Sequence, residues 1–252
     1  MKILRFVKKG IKRILSPFIK TKIEYVSNTY SQAGEDAILL SLFKSVGLEK
    51  PTYLDIGVYY PDQCSNTHLF YKYGSRGVCV EADKSLIPLI KELRPEDVIL
   101  NVGIGIDEIR EADFYVFNDK GLSTFDKKEA EFRESLGTVK ILEINKVPLR
   151  NLNSVIREYF NPYPDFLSID IEGLDLEVLK TLDFTAYPIP AIFVETCTYS
   201  ESHVKPKNAA IFNFMMSVGY FVYADTYINT LFVNEKWFMQ MPNEKLKHQI
   251  PD

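Results

Sequence analysis

The chain has 252 residues, 46% hydrophobic and 25% charged, which suits one α/β domain with a substantial core. Its three cysteines (Cys64, Cys79, Cys197) are odd in number and lack metal-ligand spacing, which argues against a disulfide framework and reads as reduced thiols in an intracellular protein. The formal net charge is −4, but residues 1–22 carry eight basic side chains and no acid, leaving −12 for the remainder; a body that acidic excludes a nucleic-acid substrate.

The leader, residues 1–24, has helical periodicity: Ile3, Leu4, Val7, Ile11, Ile14, Leu15 and Phe18 fall near one face and the lysines mostly elsewhere. Lysines break any signal-peptide core, and no apolar run approaches the ~20 residues of a membrane span. The leader therefore reads as an amphipathic helix on an anionic membrane surface, with docking on its own domain or on a partner subunit as the alternative. The expected location is cytoplasmic and peripheral on the inner membrane face.

Residues 25–252 read as a single domain with an insertion at 107–150. Ser31 to Leu48 predicts a helix with Ser31 as its cap and Glu35 or Asp36 in the first turn. Strands are predicted at 52–56, 77–81 and 97–102, with helices across 64–73 and 84–93. The rhythm then changes: Ala112–Phe117 and Val139–Val147 are extended around a polar stretch, which predicts an antiparallel insertion carrying a short helix. Helix Asn153–Phe160, strand Phe166–Asp170, helix Leu174–Leu182, strand Ala191–Glu195 and a helix over 207–218 follow. Tyr220–Ala224 and Thr230–Asn234 lie too close for a crossover helix and should pair antiparallel. The sum is a doubly wound, Rossmann-like, seven-stranded sheet closed by a C-terminal antiparallel hairpin strand.

Ligands bind at the carboxyl ends of such strands, where Asp55, Glu81, Asn101, Asp170 and Glu195 are all expected. Gly57 lets a ligand approach the backbone, and Glu81 is spaced to hold a ribose diol. The run Gly57-Val-Tyr-Tyr-Pro-Asp62 has no second glycine, so a pyrophosphate nest is hard to build. A phosphate-free adenosyl ligand escapes that demand, and S-adenosylmethionine is the natural choice.

The motifs Ser31-Gln-Ala-Gly-Glu-Asp36, Asp55-Ile-Gly57, Ser65-Asn66, Gly77-Val-Cys-Val-Glu81, Asn101-Val-Gly-Ile-Gly105 and Asp170-Ile-Glu-Gly173, with Glu195 ending a strand, follow in that order. In this the chain resembles the FkbM-type methyltransferases, a class I S-adenosylmethionine-dependent family, over residues 31 to 234; the bulky Val58-Tyr59-Tyr60 departs from the family pattern. The resemblance implies O-methylation of a sugar hydroxyl in a surface polysaccharide, glycolipid or glycosylated metabolite, with a glycan or nucleotide sugar as acceptor. Alternatives are a lipid or small phenolic acceptor, or a non-catalytic membrane-associated scaffold. Oxygen is favoured over nitrogen because Asp170-Ile-Glu-Gly173 stands where amine methyltransferases have an Asn/Asp-Pro-Pro-Tyr turn. Within this reading Gln32, Glu35 and Asp36 fold over the methionine tail, with plain helix capping as the alternative for that trio, and Asp55, Gly57, Ser65, Asn66, Glu81, Ala82 and Asp170 surround the cofactor. Asn101 and Gly103 border the adenine. Asp170, Glu195 and His203 are the catalytic candidates, whereas Glu172 reads equally as a plain helix-start carboxylate. Mg²⁺ is a disfavoured option, because the sequence offers no compact ligand cluster. The 107–150 insertion is expected to form the acceptor wall.

Overall fold

The computed structural model describes residues 28–107, 110–197 and 206–240. The predicted leader helix and His203 lie outside these residues. Among the described residues no helix is long and apolar enough to cross a membrane.

In chain order the elements are α1 (Glu35–Ser45), β1 (Tyr53–Ile56), α2 (His68–Lys72), β2 (Gly77–Val80), α3 (Ile87–Leu93), β3 (Val98–Leu100), β4 (Gly103–Gly105) and β5 (Glu111–Phe117). After a 3₁₀ turn at Lys120–Leu122 come α4 (Lys127–Leu136), β6 (Ile141–Asn151), α5 (Leu152–Tyr159), β7 (Phe166–Ile169), α6 (Asp175–Thr181) and β8 (Ala191–Glu195). The chain then runs through α7 (Ala209–Ser217), β9 (Tyr220–Asp225), β10 (Asn229–Asn234) and α8 (Glu235–Met239). Seven strands form the main sheet in the order β3-β2-β1-β7-β8-β10-β9, parallel except for β10, which runs antiparallel to both of its neighbours. The expected doubly wound sheet and closing hairpin are therefore present.

Burial on both faces explains why the parallel strands read as continuous apolar runs. Alternate residues serve opposite layers. Leu54 and Ile56 face one core with Leu167, Ile169, Val178, Leu179, Ile211 and Met215. Tyr53, Phe166 and Phe193 face the other, with Leu39, Phe43, Phe70 and Ile90. Asp55 shares the second face, and its side chain is only 6% exposed. There it meets Arg94, which has no exposed surface and whose Nη1 lies 3.4 Å from Asp55 Oδ2. The same guanidinium donates to Thr67 Oγ1 at 2.6 Å, Ser65 Oγ at 2.6 Å and the Pro61 carbonyl at 2.8 Å.

Several predicted boundaries shift, among them the helix expected at 64–73, which is His68–Lys72, and the strand expected at Val139–Val147, which is Ile141–Asn151; two shifts have a plain local cause. The first helix begins at Glu35 behind Gly34, not at Ser31, because Asp36 turns back to accept the backbone N–H of Tyr30 at 2.8 Å and the Ser31 hydroxyl at 2.8 Å. The third strand ends at Leu100, since the chain swings away at Asn101 and pairs Gly103–Gly105 with β6 instead. The insertion does contain an antiparallel pair, β5 with β6, and a short helix, α4. Asp126 caps α4 by accepting the N–H groups of Lys128 and Glu129, and Gly137 ends it in a left-handed conformation.

Candidate functional site

Strand register builds the site. Ile56 lies level with Val80 on one side and with Ile169 on the other, while Ile169 is level with Val194. The residues that follow, Gly57, Glu81, Asp170 and Glu195, therefore emerge together at the carboxyl edge, where the strand order reverses between β1 and β7. Gly57 has φ +85°, and a Cβ there would lie 1.8 Å from the Asp170 carbonyl oxygen. Only glycine lets the two strand ends close to that distance.

Above this edge lies a cleft open to solvent, with about 840 Å³ of empty space counting the solvent at its mouth. Gly57, Glu81, Ala82, Gly103 and Asp170 line it, and Val80, Leu86, Ile104 and Phe125 supply apolar wall. Glu81 is 6% exposed; Oε2 accepts the Tyr59 N–H at 2.9 Å and Oε1 the Asp83 N–H at 2.7 Å. Burial pushes its carboxyl up to about 7 against those two hydrogen bonds. Each carboxylate oxygen keeps a second acceptor position, so a diol can still be bound. A buried acid with acceptor positions to spare and apolar walls together fit an adenosyl group.

The insertion roofs this cleft. Phe114, Lys120, Gly121, Ser123 and Phe125 all line it, so the segment expected to be an acceptor wall shares a cleft with Gly57 and Glu81. Lys120 Nζ bonds Ser85 Oγ and lies 3.4 Å from Asp83 Oδ2. Gly121 rests against the Tyr59 ring. The bulky Tyr59, placed at φ +53°, thus serves as a seat for the roof.

Asp170 sits exposed at the cleft mouth. One oxygen from each of Asp170, Glu172 and Glu195 lies within 4.8 Å of the others. This corrects the expectation that no compact carboxylate cluster exists: parallel pairing of β7 and β8 brings together acids that are 25 positions apart in the sequence. Such oxygens suit Mg²⁺, but Glu172 Oε2 is 2.9 Å from Arg133 Nη1, so a guanidinium already brings positive charge to the cluster. Glu172 is not a plain helix-start carboxylate either; its φ is +57°, it precedes α6, and Asp175 is the residue that accepts the N–H groups of Ile171 and Gly173.

The remaining candidates stand behind the cleft. Asp55 faces Arg94 rather than the opening. Ser65 accepts from Arg94 and from the His68 N–H, and Asn66 donates to Ser168 Oγ at 3.2 Å. Asn101 clamps the turn after β2, donating to the carbonyls of Glu81 at 2.8 Å and Ala82 at 3.1 Å. Gln32 is exposed, while Asp36 is buried in its own turn. Its neighbour Glu35 joins that turn to the β9–β10 end, accepting from Thr226 Oγ1 and Asn229 Nδ2. Burial raises the Glu35 carboxyl, but these hydrogen bonds and that of the Ala33 N–H outweigh it and hold the group below its ordinary value. Sequence reasoning missed Arg94, Lys120 and Arg133. The i, i+4 spacing of Glu129 and Arg133 was the one local signal, and it points to a helix pair rather than to Glu172.

The family profile described as Methyltransferase FkbM domain matches residues 55–222. No curated protein matches the chain in sequence. Among solved structures, a Pyrococcus horikoshii chain described as a candidate RNA methyltransferase is 13% identical, with a TM-score of 0.39 over 91% of this chain and 98% of that one. A likeness that remote bears on neither fold nor substrate.

Proposed function

Because the chain belongs to the FkbM methyltransferase family, we propose that it is an S-adenosylmethionine-dependent O-methyltransferase acting on a sugar hydroxyl of a surface glycan, a glycolipid or a nucleotide sugar. The bound cofactor supplies an electrophilic methyl group on a sulfonium. The cleft supports the reading: Glu81 has acceptor positions to offer two ribose hydroxyls, Gly57 lets the Asp170 strand end close up beside it, and Ile104 and Phe125 offer apolar surface to the base. The observation that carries most weight is the common level of Gly57, Glu81 and Asp170 at the strand-order reversal.

Asp170, at the cleft mouth, takes the role of base. A sugar hydroxyl is too weak an acid to ionise near neutrality, so removal of its proton as the bond forms is worth roughly 10²–10⁴-fold. Holding the hydroxyl in line contributes more, on the order of 7–11 kcal/mol. Glu195, within the same carboxylate group, is placed to accept further hydroxyls of the acceptor. An acid-rich mouth suits a polyol better than an anionic acceptor group.

The test pairs calorimetry with S-adenosylhomocysteine and a tritiated-methyl transfer assay on extracted surface glycans and nucleotide sugars. Expected are label on glycan and a roughly 10–100-fold loss of S-adenosylhomocysteine affinity in Glu81→Ala, the scale of one net charge-assisted hydrogen bond. Label on protein or nucleic acid alone would overturn the acceptor class. Unchanged affinity in the variant would overturn the cofactor site.

A further inference from the structure

The turn that presents Asp170 is held from two directions. From the sheet side, the Asp170 N–H donates to the Ile56 carbonyl at 3.0 Å, and Asp175 collects the N–H groups of Ile171 and Gly173 at 3.2 and 3.3 Å. From the insertion side, Thr124 Oγ1 donates to the Glu172 carbonyl at 2.9 Å. Arg133, on α4 of the insertion, reaches the Glu172 carboxylate at 2.9 Å.

Arg133 is only 2% exposed, and its other contacts are equally specific. Nε donates to Glu129 Oε1 at 2.8 Å, and Nη1 donates to the Leu122 carbonyl at 3.0 Å. Leu122 ends the 3₁₀ turn that carries Lys120 and Gly121 into the cleft roof. One guanidinium thus ties the roof of the cofactor cleft to the acid turn at its mouth. Glu172 occupies a left-handed conformation, φ +57°, that a non-glycine residue adopts only when its surroundings enforce it. Charge gives a second reason for the contact. Three carboxylates with oxygens within 4.8 Å repel one another, and a guanidinium on Glu172 relieves that repulsion.

We infer that Arg133 is a positioning residue of the methyl-transfer reaction: through Glu172 it fixes the Asp170 turn, and through Leu122 it sets that turn relative to the cleft roof. The inference rests on the role given to Asp170 under the proposed function. It makes the insertion a working part of the catalytic apparatus as well as an enclosing wall.

The experiment compares wild type, Arg133→Met and Arg133→Lys as full chains by amide hydrogen exchange, calorimetry and kinetics. In Arg133→Met, exchange in a peptide spanning 170–175 should rise at least about tenfold while that over 77–83 stays unchanged. S-adenosylhomocysteine affinity should hold within about threefold, and kcat for glycan methylation should drop roughly 10–100-fold with acceptor KM within about threefold. Arg133→Lys keeps the charge but lacks the fork that reaches Glu172, Glu129 and Leu122 together, so it should show the same pattern at smaller size. Unchanged exchange at 170–175 in both variants would overturn the inference. So would faster exchange across the whole chain with affinity and kcat falling together, which marks a residue that only stabilises the fold. A wild type that methylates no glycan would sink the acceptor reading, and the exchange data would still decide the role of Arg133.

Discussion

At the scale of single residues, Glu81 combines near-complete burial with a place in the lining of the cleft. Its buried carboxyl is raised from 4.5 to about 7. A raised value means that the fold favours the protonated form, so the contribution to stability is complete below about pH 4.5 and is lost as pH rises through 7. The loss is on the order of 3 kcal/mol. Asp175, raised by burial from 3.8 to about 6, acts in the same direction. Urea unfolding of the ligand-free protein should therefore show lower stability at pH 7.5 than at pH 5, with Glu81→Gln shrinking but not abolishing the slope. Ribose hydroxyls donating to Glu81 favour its charged form, so binding S-adenosylhomocysteine near pH 6.5 should release a fraction of a proton. Calorimetry in buffers of different ionisation heat measures that release, and none at all would mean that Glu81 does not contact the ligand. Its place in the cleft was legible because an acid directly after the second strand, at a fixed spacing from Gly57, must emerge at the same sheet edge. Asp55 was misleading for an equally simple reason: position 55 alternates with Leu54 and Ile56, so its side chain falls on the face where Arg94 waits.

At the scale of elements, Arg94 is the pin between α3 and the loop from Pro61 to Thr67. Arg94→Met leaves Asp55 buried without its cation, and removing one partner of such a pair costs about 3–5 kcal/mol. Urea unfolding should register that loss, with Asp55→Asn/Arg94→Met recovering only part of it: position 55 then carries no charge, while buried Asp97, 4.0 Å from the same guanidinium, keeps the hydrogen bonds it accepts from Tyr53 and Gly77. A cost under about 1 kcal/mol for the single variant would show that the network is dispensable. Strands were readable here because parallel strands buried on both faces are uninterrupted apolar runs. The third was overextended because Val102 to Gly105 is also apolar, and only the pairing of Gly103 with Leu149 shows that it belongs to another sheet. No local pattern reports a partner 46 residues away. The same limit hid Lys120 and Arg133, whose importance comes entirely from what the insertion is folded against.

At the scale of the whole molecule, charge divides the chain into a basic leader and a body of net −12. We propose that the leader supplies attraction to an anionic membrane, on the order of 1 kcal/mol per basic residue near the surface, while the acidic body stays clear of it. Vesicles containing phosphatidylglycerol should sediment the full chain at low salt and release it as salt rises, and deletion of residues 1–22 should abolish the effect. Equal sedimentation of both forms would remove the membrane idea. Another molecule-wide consequence comes from the position of β10. It is the last strand among the described residues, all six of its residues are buried, and it lies between β8 and β9 rather than at the sheet border. A nascent chain emerging from the ribosome therefore cannot seal its central layer until residue 234 is free, so a stop codon shortly before that point would leave an unzipped β8 instead of a slightly shorter enzyme.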